Sequence, residues 1–329
     1  VLAPAALADG LRVELAPVSD KAVLGPDDGV PLRFTVTNET EGALTALYWH
    51  TPFRGFETDM FVVELNGRRV DYTDRIVLRL PPEAGDWMQI GPGESVSTVF
   101  DLARSYDMSE PGTYAVEFDF PIETRGSESP GEQAPARVRS DVLLISTTGV
   151  RKGQQFEKGG PPSSGGCSTE EFQILDERQA LGDGFAYAAD VHMDGAPTND
   201  LLYNKWFGAY DASRWAWVND GFENIDATMD LSFTYNCINC GRTMVAYVYK
   251  DQPRNVWICP TFFTLDENFQ GGVLLHEASH WNRPDGAGTN DSAYGESSCL
   301  SLAASSPANA VNNADNYHLF SRDVSGALP

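Results

Sequence analysis

The stretch Gly272–His280, with the sequence GVLLHEASH, decides how the second half of this chain folds. Its apolar run leads into the pattern H-E-x-x-H, in which His276 and His280 stand four residues apart. On a helix, such positions share one face, so both imidazoles can bind one ion. Glu277 lies beside the first histidine and can act as general base on a water held at that ion. The chain has only 5 histidines and two fall in this motif, which favours a zinc-binding helix over a chance match.

A catalytic zinc site needs a third protein ligand and one open position. No histidine follows within reach, because the sequence after His280 is WNRPDG. Two carboxylates are therefore candidates. Asp291 lies in the loop GTNDSAYG (288–295), which follows a helix-ending proline and can fold back toward the ion. Glu296 lies just beyond this loop and would be the ligand in a gluzincin-type peptidase.

The two motifs together resemble the aspzincins, the family of the deuterolysins and the peptidyl-Lys metalloendopeptidases. The resemblance covers about Cys167 to Phe320. Four further stretches have counterparts in the peptidyl-Lys branch: KWFGAY (205–210), AYVY (246–249), VWIC (256–259) and NADN (313–316). The resemblance implies an α+β zincin-like metalloprotease domain that hydrolyses peptide bonds in proteins or peptides.

The resemblance also implies a set of site residues. One zinc ion would be held by His276, His280 and Asp291. Glu277 would be the catalytic base, and Tyr294 would donate its phenol to the oxyanion of the tetrahedral intermediate.

Substrate recognition is implied in the same way. In the Lys-specific relatives an acidic pair binds the lysine that follows the scissile bond. Asp315 matches one member of that pair, whereas His318 replaces the other, and Tyr247 is a further substrate-binding candidate. We therefore expect a preference for Lys or Arg after the cut that is looser than in those relatives.

The composition is acidic and globular. The 329 residues carry a formal charge of -24, with 42% hydrophobic residues, which suits two packed domains. The charge argues against nucleic acid or an anionic membrane as partner. No apolar run approaches the roughly 18 residues that span a bilayer. The first residues, VLAPAALA (1–8), resemble the end of a signal peptide, so we expect a secreted, extracellular protein, which we expect to be a monomer.

Residues 1–146 are predicted to form an all-β domain. Stretches such as Leu11–Leu15 and Leu32–Thr37 alternate with period two, and further strands are expected at 43–49, 61–65, 96–102, 113–118 and 138–145. Turn sequences such as Asn66-Gly67 separate them. Short strands at this spacing indicate an immunoglobulin-like sandwich. Bacterial members of the family carry an amino-terminal β-domain that acts as a propeptide, and this half resembles that prodomain.

Residues 147–166 are predicted to be a flexible linker, because glycine, serine and proline are dense there. If the chain is a zymogen with a lysine-accepting pocket, it can process itself in this linker. The expected cleavage site lies between Glu157 and Lys158, with Lys152 as second choice. Before the cut the prodomain would cover the cleft, and Arg54 is the candidate for a basic residue that fills the pocket.

The catalytic domain is predicted to span 167–329. Helices are expected at 169–180, 181–193, 211–224, 271–281, 292–304 and 307–320, and strands at 233–235, 244–249 and 255–258. A sheet edge of this kind commonly binds a peptide by adding it as a strand.

Five cysteines all lie in the second half. Cys237 and Cys240 have C-x-x-C spacing, but the others are not spaced as the second pair of a zinc knuckle. Disulfides are the better interpretation for an exported enzyme. The resemblance implies the pairs Cys167–Cys237 and Cys240–Cys259, which leaves Cys299 as a free core residue.

The sequence thus predicts a secreted zinc metalloendopeptidase with its prodomain. One rival is a catalytically inactive binding protein, such as an adhesin on a protease fold. The other is the gluzincin-type peptidase that uses Glu296.

Overall fold

The computed structural model describes residues 10–126, 136–151, 166–195, 200–241 and 243–328. The chain forms two compact units. The first consists of Val1–Asp74 and Pro82–Glu157, and the second of Arg75–Pro81 and Lys158–Pro329. The short segment Arg75–Pro81, which contains strand β6 (Arg75–Arg79), therefore belongs to the second unit although it lies within the first half of the sequence. The multi-domain organisation is as predicted, but the assignment of Arg75–Pro81 to the second unit was not predicted.

Antiparallel strands build the first unit. They form the sheets β1-β2-β8, β10-β3-β7 and β11-β9-β4-β5, with β12 also paired to β9. The strands are β1 (Leu11–Pro17), β2 (Pro31–Asn38), β3 (Leu44–Leu47), β4 (Phe61–Leu65), β5 (Arg68–Arg69), β7 (Trp87–Ile90), β8 (Ser95–Asp101), β9 (Gly112–Ile122), β10 (Thr124–Gly126), β11 (Ala136–Arg139) and β12 (Leu143–Thr147). Every stretch predicted as a strand in this half contributes to one or more of them.

The core of the first unit follows from the period of two. In β2, Leu32, Phe34 and Val36 are buried, while the residues between them are not part of that core. The ring of Phe34 packs on that of Phe118 with centroids 5.0 Å apart. His50 is also buried, and its Nδ1 accepts a hydrogen bond from the Glu123 amide. Burial lowers the pKa of His50 to about 3, so it is a neutral core residue.

Helices and one mixed sheet build the second unit. The sheet has the order β13-β15-β14-β6, in which β13 and β15 are parallel and the other pairs are antiparallel. The elements are α1 (Thr169–Met193), α2 (Leu201–Phe207), α3 (Ala212–Met229), β13 (Thr234–Cys237), β14 (Met244–Tyr249), β15 (Asn255–Ile258), α4 (Glu267–His280), α5 (Gly295–Ser305), α6 (Pro307–Ala310) and α7 (Ala314–Val324).

Helix α1 corrects one prediction, since it is a single helix where two were expected. Its N-cap is Ser168, whose side chain forms a reciprocal capping box with that of Glu171. Gly182 does not break it, because this position packs against α4. A Cβ at Gly182 would lie 2.5 Å from the carbonyl oxygen of Gly271. The missing side chain thus allows the two helices to approach closely.

Two disulfides fix the sheet to its surroundings. Cys167–Cys237 joins the segment just before α1 to the last residue of β13, and Cys240–Cys259 joins the following loop to the residue after β15. Cys299 is buried and free. The pairing is the one that the resemblance implied.

Two further helix predictions need correction. The stretch 307–320 forms two helices, α6 and α7, because the chain turns at Val311 and Asn312. α2 was not predicted at all. None of the helices that the structure describes is long and apolar enough to cross a membrane.

Candidate metal centre

Helix α4 carries the two histidines into the interior of the second unit. It begins after Asp266, whose carboxylate accepts the Phe269 amide as an N-cap, and all its residues from Gln270 to His280 are buried. His276 and His280 have no exposed surface. Their rings lie 4.9 Å apart at an angle of 87°, so that both Nε2 atoms meet Asp291. The spacing of four residues therefore places both imidazoles on one face of α4, as predicted.

Asp291 completes a three-residue cluster. Its Oδ1 lies 3.2 Å from His276 Nε2 and its Oδ2 lies 3.4 Å from His280 Nε2. The three potential ligand atoms lie within 4.8 Å of one another, and all three residues are buried. Burial would raise the pKa of Asp291, but the two histidines outweigh it and hold the pKa far below its usual value.

The loop after α4 folds back on the helix and so delivers Asp291. The amides of Ala287 and Thr289 both donate to the carbonyl of Ser279, at 3.1 Å. Gly286 permits this approach, since a Cβ there would lie 2.4 Å from the Ala278 carbonyl oxygen. Loop and helix therefore form one rigid layer around the site.

Asn313 and Lys250 hold the same loop from outside, and sequence reasoning missed both. The Oδ1 atom of Asn313 accepts the amides of Ser292, at 2.7 Å, and Ala293, at 3.0 Å. The buried ammonium of Lys250 donates to the carbonyl of Gly288 and to the side chain of Asn290. Asn313 falls in one of the stretches shared with the peptidyl-Lys branch, which was the available signal, whereas a lone lysine gave none.

The Nδ1 atoms of the two histidines are held by different groups. His280 Nδ1 lies 3.2 Å from both the carbonyl oxygen and the hydroxyl of Thr289. His276 Nδ1 lies 3.1 Å from Oδ1 of Asp315. When Nδ1 donates, the neutral ring presents the lone pair of Nε2. Both rings can therefore present Nε2 to one ion.

Glu277 is fully buried beside this cluster. Neither of its carboxylate oxygens has a hydrogen-bond partner among the residues that the structure describes. Burial, assisted by the charge of Asp291, raises the pKa of Glu277 to about 8. A buried carboxyl without hydrogen bonds is costly for stability and typical of a reacting group.

Tyr294 caps the amino end of α5 beside the metal cluster. Its ring is stacked near that of His276, with centroids 6.4 Å apart and an angle of 18° between the planes. Its hydroxyl donates to the carbonyl oxygen of Val77 in β6, at 2.9 Å. The phenol thus lies next to the cluster and contacts the segment that the first half contributes.

The comparisons with known proteins agree with this geometry. The family model for the Lysine-specific metallo-endopeptidase matches residues 192–322, which contain the whole cluster. An extracellular protease of Aeromonas hydrophila is 31% identical over 98% of this chain and 95% of that protein. The chain belongs to the aspzincin family. A peptidyl-Lys metalloendopeptidase of Grifola frondosa is 29% identical over 71% of this chain and 68% of that protein. A solved zinc peptidase from Grifola frondosa covers 48% of this chain and 97% of its own, with 29% identity and a TM-score of 0.46.

This aspzincin is a zinc metalloendopeptidase, and its substrates are proteins or peptides. The enzyme prediction is confirmed, and so is the extracellular location, since the Aeromonas relative is an extracellular protease. The donor set fits zinc on structural grounds as well. Two imidazole nitrogens and a carboxylate are a common zinc set, and both Nε2 atoms are buried without a hydrogen bond among the described residues.

Of the three residues expected to bind substrate, Asp315 and His318 lie beside His276 of the aspzincin site. Asp315 and His318, both in α7, are 6% and 1% exposed. Tyr247 lies in β14 and stacks on Trp257 with centroids 5.3 Å apart. Their part in lysine recognition stays a prediction.

Two other candidates lie elsewhere. Glu296 is half-exposed on α5, with Lys205 Nζ 3.8 Å away, and does not join the histidines, which disfavours the gluzincin alternative. Arg54 lies over the ring of Tyr48 and donates to the Gly85 carbonyl within the first unit. The processing site between Glu157 and Lys158 lies outside the described residues.

Proposed function

We propose that this aspzincin is made as a zymogen and that β6 keeps it inactive. Without β6, β14 would be the edge of the catalytic sheet, and extended peptides bind such edges as an added strand. β6 takes that place, because it pairs antiparallel to β14 from Arg75 opposite Tyr249 to Arg79 opposite Met244. A substrate that needs this edge would have to displace β6.

The hydrogen bond from Tyr294 to the carbonyl of Val77 is the observation that carries this proposal. If Tyr294 stabilises the oxyanion, its single phenolic proton must point at the oxygen of the scissile carbonyl. In this structure a carbonyl of the chain's own β6 accepts that proton. The carbonyl of Val77 in β6 thus accepts the hydrogen bond that Tyr294 would donate to a bound substrate.

Burial on both faces of β6 supports a stable inhibited state. Val77 is 1% exposed and packs with Tyr247 and Tyr249, whereas Leu78 is 2% exposed and lies in the main core of the unit. Full burial of one such side chain stabilises a structure by about 1.5–3 kcal/mol. β6 is therefore not a loosely placed loop.

Each catalytic residue has a defined task in the proposed mechanism. His276, His280 and Asp291 would hold zinc, which when bound acidifies a water and polarises the scissile carbonyl. Glu277 takes a proton from the attacking water and passes it to the leaving amine. Its raised pKa suits a group that must both accept and release a proton near neutral pH. Once β6 has left, Tyr294 donates to the oxyanion.

The proposal also assigns a fold type to each unit. The antiparallel sheets of short strands support an immunoglobulin-like sandwich that acts as prodomain. The buried H-E-x-x-H helix beside a sheet supports a zincin-like catalytic domain. Self-cleavage between Glu157 and Lys158 would allow the prodomain, and β6 with it, to be removed.

We propose a preference for a basic residue after the cut from the resemblance to the peptidyl-Lys metalloendopeptidases, one of which, from Grifola frondosa, is 29% identical to this chain. A cleavage profile on a peptide library measures it. A profile dominated by apolar residues at that position would contradict it.

The metal assignment is tested with matched carboxylate variants. Asp291→Ala should lose zinc and activity together, whereas Glu296→Ala, on the neighbouring helix, should keep both. Metal analysis and a casein assay with and without chelator measure the two properties. The assignment is wrong if Asp291→Ala keeps its zinc.

The zymogen is tested with a peptide of the sequence RIVLRLP, which copies residues 75–81. Added to the processed enzyme, it should inhibit casein cleavage competitively, and a scrambled peptide should not. Purified full-length protein should cut itself in the linker, while Glu277→Ala protein stays intact. Equal clipping of the inactive variant, or no inhibition by the peptide at millimolar concentration, would overturn the proposal.

A further inference from the structure

Asp315 connects three helices at the metal centre. It lies in the first turn of α7. One carboxylate oxygen lies 3.1 Å from Nδ1 of His276 in α4, and the other accepts the amide of Gly295, the first residue of α5, at 2.6 Å. Both oxygens are thus used within the protein, and the side chain is only 8% exposed.

The surroundings of Asp315 reinforce this geometry from behind. His318 Nδ1 lies 3.4 Å from the oxygen that faces His276, and its Nε2 lies 3.4 Å from the guanidinium of Arg322. His318 fits against α4 because position 272 is glycine. A Cβ at Gly272 would lie 2.2 Å from His318 Nε2. Arg322, His318 and Asp315 therefore form a chain of contacts that leads to His276. His318 in this chain packs against α4, the helix that carries His276.

We propose that Asp315 is a positioning residue, which fixes the tautomer and the ring orientation of His276 so that Nε2 faces the zinc. The inference rests on the proposed metal assignment and deepens it. The geometry differs from that of a lysine receptor, which must leave a carboxylate oxygen within reach of the substrate. A carboxylate that accepts the Nδ1–H of a zinc-binding histidine raises the basicity of that ligand, and its loss commonly weakens metal binding 10- to 100-fold.

The first experiment measures zinc affinity in the full chain. All variants carry Glu277→Ala as a common background, so that no self-cleavage occurs, and zinc is titrated in competition with a chelator of known affinity. Asp315→Asn should weaken zinc binding about 10- to 100-fold. The matched control is Asp323→Asn on the same helix, since that carboxylate binds Lys205 and Trp206 instead. Its zinc affinity should not change.

The second experiment separates positioning from substrate binding. Processed Asp315→Asn enzyme is compared with the parent on two peptides that differ only in Lys or Ala after the scissile bond. A positioning role lowers kcat/KM for both peptides by the same factor. A receptor role lowers it for the Lys peptide alone and leaves zinc affinity unchanged, and this outcome would overturn the inference.

Two controls keep the outcomes distinct. If Asp315→Asn does not fold, Asp315→Glu takes its place, because it keeps the charge but shifts the carboxylate by one methylene, and it should also weaken zinc binding. If the Glu277→Ala parent binds no zinc, or Asp291→Ala keeps it, the metal assignment itself has failed. If both behave as expected and Asp315→Asn binds zinc normally, only the role of Asp315 is wrong.

Discussion

Two buried carboxylates, Asp119 in the first unit and Glu277 in the second, have opposite surroundings. In the first unit, the side chain of Asp119 is 2% exposed and binds the guanidinium groups of both Arg137 and Arg139. In the second unit, Glu277 is fully buried, and neither of its oxygens has a hydrogen-bond partner among the described residues. One carboxylate is satisfied by cations, and the other is left beside a metal cluster.

This difference separates a scaffold from a reaction centre. A buried charge that is paired keeps a structure together, whereas one without hydrogen bonds lowers stability and persists only where the rest of the fold compensates. The same contrast holds for the histidines. His50 is a neutral core residue, whereas the Nε2 atoms of His276 and His280 face Asp291 and have no hydrogen-bond partner among the described residues. The following predictions test whether the contrast reflects function.

Replacement of Glu277 by glutamine should have the largest effect. The amide keeps the size of the side chain but cannot accept the proton of the attacking water, so kcat should fall by about 10²- to 10⁴-fold. Zinc content and the melting temperature should stay close to those of the parent. A peptide assay combined with metal analysis checks this.

The control is Glu267→Gln at the exposed start of the same helix, where the carboxylate pairs with Arg178. Its turnover should match the parent. Near-normal turnover of Glu277→Gln would erase the contrast between the two carboxylates, because Glu277 would then be a structural residue too.

The two histidines of the metal cluster could be predicted because their determinant is local, whereas the choice of Asp291 over Glu296 came from the resemblance to the aspzincins. The spacing of four residues places His276 and His280 on one face of any helix, and a loop after Pro284 can return Asp291 to that face. The structure brings these three residues together. The second set of contacts, from Thr289, Asn313 and Lys250, depends on how separate segments pack and left no local pattern.

The position of β6 could not be predicted from the sequence. The segment RIVLRLP (75–81) is a short apolar run, and nothing local says which sheet will accept it. The prediction of two helices in place of α1 failed for a related reason. The helix continues through Gly182, where the missing side chain allows close contact with Gly271, 89 residues later. Tertiary contacts decided both cases.

Asp119→Asn should have the next largest effect, on stability alone. Hydrogen bonds to charged groups contribute about 1.5–3 kcal/mol, and two half-exposed arginines limit the loss to about 2 kcal/mol. In a unit of this size that lowers the melting temperature of its transition by about 4–8 °C. Calorimetry of the full chain at pH 7 measures it, and zinc binding should not change.

Acidification provides the control for Asp119. Burial raises the pKa of this carboxyl, but the hydrogen bonds from Arg137 and Arg139 outweigh it, and the net pKa is lowered. The stabilisation is therefore present above the ordinary pKa of about 3.9 and is lost as the pH falls toward the lower folded value.

The exposed pair of Arg68 and Glu110 should behave differently, so Glu110→Gln should cost less than about 1 kcal/mol. Equal losses for the two variants would contradict the scaffold role of Asp119.

The smallest expected effect concerns Asp226, a half-buried carboxylate of α3 that has like charges around it. Burial, together with the charges of Asp190, Asp183 and Asp230, raises its pKa to about 6. The folded state therefore holds the proton on Asp226 more tightly than the unfolded state does. The contribution of this group to stability is most favourable below about pH 4 and is lost as the pH rises to about 6. Asp226→Asn should remove this loss and raise the free energy of unfolding above pH 7, by less than about 1 kcal/mol because the site is solvent-screened. At pH 4 the variant and the parent should have the same melting temperature.

The control is Asp220→Asn on the same helix. The Asp220 carboxylate lies 4.0 Å from Arg283, so this variant should not raise the free energy of unfolding. If Asp226→Asn lowers the free energy of unfolding at pH 8, the ionised carboxylate stabilises the native state, and the neighbouring negative charges do not destabilise it.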